Sequence, residues 1–179
     1  MKLGIKFDKE RGLPLLLTGI IIVIDQISKA FIAAKWPINS IVVDVFNNEF
    51  LQIYHVRNKA IAFSLGYGIP DAIKPAVFVV LPLLVLGVLL WYYLRADDFT
   101  RLQRWAVAGI LGGGIGNIID RIFRPEGVVD FISVKFYGLF GFERWPTFNL
   151  ADSSVVVCCI LLFITIIIDS KNKKPEAAK

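Results

Sequence analysis

Histidine is nearly missing from this sequence and cysteine almost so: one His and two Cys in 179 residues. His55 has no His or Cys partner at ligand spacing, which disfavours a metal site. It also has no obvious Ser or Cys to activate, and no Ser–Lys pair stands at a plausible site, which disfavours the usual nucleophilic hydrolase arrangements. Cys158 and Cys159 are adjacent, so they cannot form an ordinary disulfide, and their apolar setting marks them as small filler. Polar sequence is scarce too. Hydrophobic residues make up 56% of the chain and the mean hydropathy is +0.64, where a soluble domain of this length sits near neutral. No internal repeat is visible.

The apolar residues are clustered in runs at 13–24, 75–94, 105–122 and 151–168. Each supplies or seeds a span of roughly 20 residues, enough to cross about 30 Å of hydrocarbon as helix. Four spans leave no room for a separate soluble domain, so residues 1–179 are read as one integral membrane domain with helices at about 13–34, 75–95, 105–122 and 151–169. The first span opens with basic residues, as a signal peptide does. Asp25 and Lys29 interrupt its outer half, however, and no small-x-small cleavage site follows, so it is expected to remain as a helix.

A net charge of +5 raises the question of nucleic acid, but the placement of the charges answers it. Lys2, Lys6, Lys9 and Arg11 precede the first span; Arg95, Arg101 and Arg104 separate the second from the third; Lys171, Lys173, Lys174 and Lys179 follow the fourth. Those short segments hold eleven of the twenty Lys and Arg, and the positive-inside rule puts them, both termini included, in the cytoplasm. The basic residues are topology signals that also meet anionic headgroups of membrane lipids. The segments at about 35–74 and 123–150 are then external, and the polar tail 170–179 is cytoplasmic. Trp91, Tyr92 and Tyr93 mark an interface. Residues 41–46 and 50–56 are β-branched and aromatic around Asn47-Asn48, which predicts a hairpin or small sheet at the membrane surface. Segment 123–150 carries Pro125, Gly127, Gly138, Gly141 and Pro146 and reads as turn-rich.

Two features of the spans carry the functional argument. Gly109, Gly112, Gly113, Gly114 and Gly116 crowd the third helix, and the four-apart pairs Gly109/Gly113 and Gly112/Gly116 let a neighbouring backbone approach, either for packing alone or to admit a substrate helix. Ionisable side chains, each costing about 2.5–3.5 kcal/mol at a span's centre, gather towards one leaflet. Asp25 and Lys29 are i, i+4 on the first helix and can pair; Asn117, Asp120 and Arg121 share a face near the outer end of the third. The first pair reads as a structural ion pair; Arg121 serves either structure or the anchoring of carboxylates and peptide carbonyls. Asp152 opens the fourth helix and by itself reads as a cap helped by Ser153 and Ser154; Asp130 by itself reads as a solvated loop residue. Together they form a candidate pair. Two carboxyls close together at an apolar boundary share one proton, so one can take a proton from water while the other polarises a carbonyl.

Five blocks then resemble, in order, those of the lipoprotein signal peptidase (signal peptidase II) family. They are Asp25-Gln26-Ile27-Ser28-Lys29, Asn58-Lys59-Ala60-Ile61-Ala62-Phe63-Ser64, Gly113-Gly114-Ile115-Gly116-Asn117-Ile118-Ile119-Asp120-Arg121, Val128-Val129-Asp130-Phe131 and Phe148-Asn149-Leu150-Ala151-Asp152-Ser153. One departure is Ala60, where the family has glycine. The resemblance implies an all-α membrane bundle of four transmembrane helices with a small periplasmic β-sheet or hairpin cradle and a lid-like connection. It implies Asp130 and Asp152 as a catalytic dyad, with Asn58, Asn117 and Arg121 holding substrate and Asp25, Lys29, Asp120 and Asn149 in support. It further implies a lipid-modified prolipoprotein substrate cut before its lipidated cysteine, no cofactor, a monomer, and a site near the periplasmic face of the bacterial inner membrane. The rival reading is a small transporter or proton-relay subunit, which would place polar groups through the full membrane depth. A non-enzymatic scaffold would not need both aspartates.

Overall fold

Four of the helices are long and apolar enough to cross a membrane. The structure, a computed structural model, describes residues 8–59 and 68–172. Ala60, Phe63 and Ser64, the lid-like connection around them, and Lys2, Lys6, Lys173, Lys174 and Lys179 lie outside the described residues. The order is α1 (Lys9–Lys35), β1 (Ser40–Asp44), β2 (Leu51–Asn58), α2 (Leu81–Arg95), α3 (Arg101–Phe123), β3 (Val128–Val134) and α4 (Leu150–Asn172). A widened helical stretch, Ala76–Val80, runs directly into α2.

Local chemistry sets the helix starts. Asp8 caps α1 by accepting from the Arg11 amide at 2.9 Å. Thr100 and Gln103 cap α3 reciprocally: the Gln103 amide donates to Thr100 Oγ1 at 3.3 Å, and the Thr100 amide donates to Gln103 Oε1 at 3.0 Å. The same device opens α4 with different residues. The Asp152 amide donates to Asn149 Oδ1 at 2.9 Å and the Asn149 amide to Asp152 Oδ2 at 3.1 Å. Asp152 therefore sits in the first turn rather than at the cap, and Asn149 takes the capping role.

Helix α3 is the buried one, and its glycines explain how. A methyl added at Gly113 would lie 2.3 Å from Ala151 O of α4; one at Gly116 would lie 2.7 Å from Asp25 Oδ2 of α1. One at Gly112 would meet Ile21 of α1 at 3.0 Å, and one at Gly114 would meet Leu86 of α2 at 2.8 Å. These glycines are filled by the chain's own helices, so the room they create is not a berth for a substrate helix; packing accounts for them. Cys158 packs against Gly109, while Cys159 is exposed, and both are free thiols.

The strands form one antiparallel sheet, ordered β1-β2-β3. The hairpin is displaced from its expected limits, 41–46 and 50–56, because the turn between the strands is wider than Asn47-Asn48: both Asn47 and Glu49 take left-handed φ values, 53° and 63°. Strand β3 is the larger departure, since 123–150 reads as turn-rich. Val128-Val129-Asp130-Phe131-Ile132-Ser133-Val134 has strand composition apart from the acid, and β3 pairs with β2 in the register Val56 to Asp130 and Asn58 to Val128. Ile32, Val129 and Phe131 form a core with Trp36, Val42 and Ile53, which seats the sheet on the end of α1. At the opposite end Tyr93, Val107 and Leu111 form a second core. There Arg11 bonds Asp97 at 2.5 Å and Arg104 donates to Ala96 O at 3.0 Å. Between these polar ends, the side-chain bonds joining helices among the described residues are Thr18 to Ala108 O and Ser154 to Gly109 O. No ionisable ladder crosses the apolar middle among the described residues, which is the reverse of what a relay needs.

Candidate active site

Asp130 and Asp152 arrive at the same place from different elements, one from the buried strand β3 and the other from the first turn of α4. Asn149 links them. Its Nδ2 donates to Asp130 Oδ1 at 2.7 Å, and its backbone N–H donates to Asp152 Oδ2 at 3.1 Å. Asn58, at the end of β2, donates to Asp130 Oδ2 at 3.0 Å. Asn117 of α3 donates to Asp152 Oδ1 at 2.7 Å and accepts from Asn149 Nδ2 at 3.1 Å. Each carboxyl is thus oriented through both of its oxygens by amide donors.

The expected supports form a buried network behind the pair. Lys29 Nζ lies 2.8 Å from Asp25 Oδ2, 3.2 Å from Asp120 Oδ2 and 2.9 Å from Asn117 Oδ1, and the Lys29, Asp25 and Asp120 side chains are fully buried. Asp25 also accepts from the Ala151 amide at 3.1 Å, and Asp120 from the Val129 amide at 3.1 Å. One carboxylate is therefore pinned to the start of α4 and the other to the strand residue next to Asp130. The i, i+3, i+4 set on α3 divides its labour: Asp120 serves the network, while Asn117 and Arg121 line the cleft. Arg121 places its guanidinium over the Phe78 ring, 5.1 Å from the centroid.

Three contributors escaped the sequence reading. Gln26 donates to Asp120 Oδ1 and to Gly116 O, both at 3.0 Å; Arg124 forms an ion pair with Asp120; Arg57 lines the cleft. Gln26 stands inside a block singled out above, but nothing in its residue type marks it. His55 proves structural, buried with Nδ1 2.9 Å from Trp36 O.

The carboxyls face a cleft of about 1040 Å³. One wall is polar, with Asn58, Asn117, Arg121 and Arg57; the other is apolar, with Phe142, Trp145 and the valines of α4. Burial raises the Asp130 carboxyl to about 7, the negative charge of Asp152 adds to the rise, and the Asn58 and Asn149 hydrogen bonds pull against it. A protonated Asp130 beside a second carboxyl is the arrangement that pairs an acid with a base.

Comparison with known proteins agrees. A family model described as signal peptidase (SPase) II matches residues 17–168. A lipoprotein signal peptidase of Treponema pallidum (strain Nichols) is 45% identical over 167 residues, covering 93% of this chain and 89% of that protein. One from Treponema denticola is 45% identical over 166 residues, covering 93% and 95%. A solved structure described as a bacterial membrane enzyme, determined in meso at 2.3 Å, superposes with a TM-score of 0.78 at 28% identity, covering 94% of this chain and 95% of its own.

Proposed function

The chain belongs to the signal peptidase II family, and from that membership we propose that Asp130 and Asp152 are the catalytic pair that cuts a lipid-modified prolipoprotein before its lipidated cysteine. Membership itself gives the chain the activity of a lipoprotein signal peptidase, an aspartic hydrolase in a multi-pass membrane protein.

The assignment rests on one observation above the others: Asn149 bonds both carboxyls, so a single residue holds them beside each other. We assign the shared proton to Asp130, whose carboxyl burial and the Asp152 charge raise to about 7. Asp152 is the base. It takes a proton from water as the water oxygen bonds to the scissile carbonyl carbon, and the Asp130 O–H hydrogen-bonds the carbonyl oxygen as charge develops there. The tetrahedral intermediate collapses when the proton held by Asp152 passes to the departing amine, which becomes the new N-terminus at the lipidated cysteine. Asn58 and Arg121 on the polar wall hold the extended peptide, and Asn117 and Asn149 keep the carboxyls aimed.

The site operates at the periplasmic face of the bacterial inner membrane, with both termini cytoplasmic. This orientation is supported by Arg11, Arg95, Arg101, Arg104 and Lys171, all at helix ends remote from the sheet. A monomer suffices, because every side chain invoked comes from one chain. The test uses purified Asp130→Asn and Asp152→Asn proteins with a synthetic diacylglyceryl lipopeptide. Both variants should elute from gel filtration in detergent as wild type does and release no peptide. Wild-type cleavage by either one rejects the pair.

A further inference from the structure

The apolar wall of the cleft continues away from the carboxyls, and its composition changes as it goes. Val155, Val156 and Val157 lie on α4 between three and five residues beyond Asp152, and all three line the cleft. On a helix that is a descent of about 4.5–7.5 Å from the outer end towards the bilayer centre. Val156 and Val157 are 57% and 62% exposed, so the cleft is open sideways to lipid there rather than closed by protein. The polar wall offers amide and guanidinium donors; the valine side chains offer none. Phe142, Trp145 and Pro146 line the cleft together with the valines. These residues are held in place: Phe142 and Trp145 pack edge-on, with centroids 5.6 Å apart, and Trp145 stacks on Phe136 at 5.0 Å. Arg144, between these rings, donates from Nε to Ser133 Oγ at 2.9 Å and from Nη1 to Glu49 O at 2.9 Å, which ties the loop to β3 and to the hairpin.

We propose that this gutter, lined by the α4 valines and by Phe142, Trp145 and Pro146, receives the acyl chains of the substrate's lipidated cysteine and passes them into the bilayer. The inference rests on the peptidase reading above and adds where the lipid goes. The chemistry is complementary on each side. A peptide backbone needs donors and acceptors and takes the polar wall. Acyl chains need neither, and they are tethered to the residue next to the scissile bond, so they leave the site sideways at the level of the carboxyls. Hydrocarbon gains little by leaving lipid for a valine wall, so the gutter governs alignment and access more than affinity. Trp145 is then a specificity-determining residue for the lipid, and Arg144 a positioning residue acting through it.

The test compares two synthetic lipopeptides of identical sequence, one carrying two palmitoyl chains and one two butyryl chains, cleaved by purified full-length enzyme in detergent micelles. Val156→Trp puts an indole where the long chains run, and it should raise the ratio of KM for the long-chain over the short-chain substrate about tenfold, the scale of an overpacking penalty. Ile160→Trp, a lipid-facing position further along α4 outside the cleft, is the control for fold and insertion and should leave that ratio where wild type has it. Trp145→Ala should also shift the ratio, and a lipopeptide altered only in the residues preceding its cysteine should not respond to Val156→Trp differently from its parent. A Val156→Trp ratio equal to wild type, or a response that tracks the signal sequence instead of chain length, overturns the proposal. Failure of the dyad itself is read separately, as cleavage of either lipopeptide by Asp130→Asn.

Discussion

Replacing Lys29 by methionine is the perturbation that most directly probes the buried network. The thioether keeps the length of the side chain and removes its charge. Three acceptors lose the ammonium at once: Asp25 Oδ2 at 2.8 Å, Asn117 Oδ1 at 2.9 Å and Asp120 Oδ2 at 3.2 Å. Asp120 keeps the Arg124 ion pair and the Val129 amide, whereas Asp25 is left with the Ala151 amide and Gln26. Both carboxyls are fully buried, so the loss falls in the range for breaking a buried pair, about 3–5 kcal/mol. Equilibrium unfolding in mixed micelles, followed by tryptophan fluorescence, measures it. Adding Asp25→Asn should restore part of the loss, because it removes the uncompensated anion, so the double variant should be more stable than Lys29→Met alone. Activity supplies an independent readout. The Lys29 charge is one of the influences that lower the Asp130 carboxyl, so without it Asp130 holds its proton to higher pH. The alkaline limb of kcat against pH should therefore move upward. A Lys29→Met enzyme within about 1 kcal/mol of wild type, with an unmoved alkaline limb, would refute the account of the network.

Other outcomes follow from the same geometry. Asp130 is raised in the folded state from 3.8 to about 7, so the native chain binds a proton that the unfolded chain releases, and wild-type stability falls as pH rises from about 4 to about 7, by up to about 4 kcal/mol. Asp130→Asn abolishes that term: its stability relative to wild type should climb across the same window, and a pH-independent difference between the two unfolding curves contradicts the assignment. Asn149→Ala removes the donor to Asp130 and the cap acceptor of α4 together; it should cost about 1–3 kcal/mol and lower kcat far more than it raises KM, with equal changes in both counting against an orienting role. Gly113→Ala sets a methyl 2.3 Å from Ala151 O in the turn that carries Asp152, so melting temperature and cleavage should both drop; a variant with wild-type values denies the close approach of α3 and α4.

Hydropathy alone located the four helices to within a few residues, because a span buries its backbone bonds internally and displays its class in every residue. It placed α1 at about 13–34, and the structure extends it back to Lys9 because Asp8 supplies a cap that hydropathy does not weigh. The acids and Lys29 were legible for the converse reason: charge in a span is costly and demands an explanation. Strand β3 was not legible, because its pairing partner β2 lies some seventy residues earlier and the acid at position 130 interrupts the apolar pattern. Asp130 thus looked solvated, although only 3% of it is exposed. The reciprocal cap between Asn149 and Asp152 was hidden similarly, since either residue alone is a plausible cap and only the backbone bonds distinguish them.

The placement of charge fits the proposed pairing of the two carboxyls. A cation bonded directly to Asp130 would favour ionisation of both acids and remove the proton that must polarise the carbonyl. Asp130 is instead held by the Asn58 and Asn149 amides, which orient a carboxyl in either protonation state, and burial keeps its proton near neutrality. The Lys29 ammonium pairs with Asp25 and Asp120 and touches neither carboxyl of the pair: it aligns Asp152 through the Asn117 amide, and its charge acts on Asp130 only from a distance. Asp25 and Asp120 also accept from the backbone amides of Ala151 and Val129, each one residue from a member of the pair. The rigid ion network therefore fixes where the two backbones sit, and the neutral amides fix how the carboxyls point. Substituting a charged donor such as lysine for Asn149 would merge these two layers, and the physical expectation is a pair ionised at neutral pH and inactive even where its geometry survives.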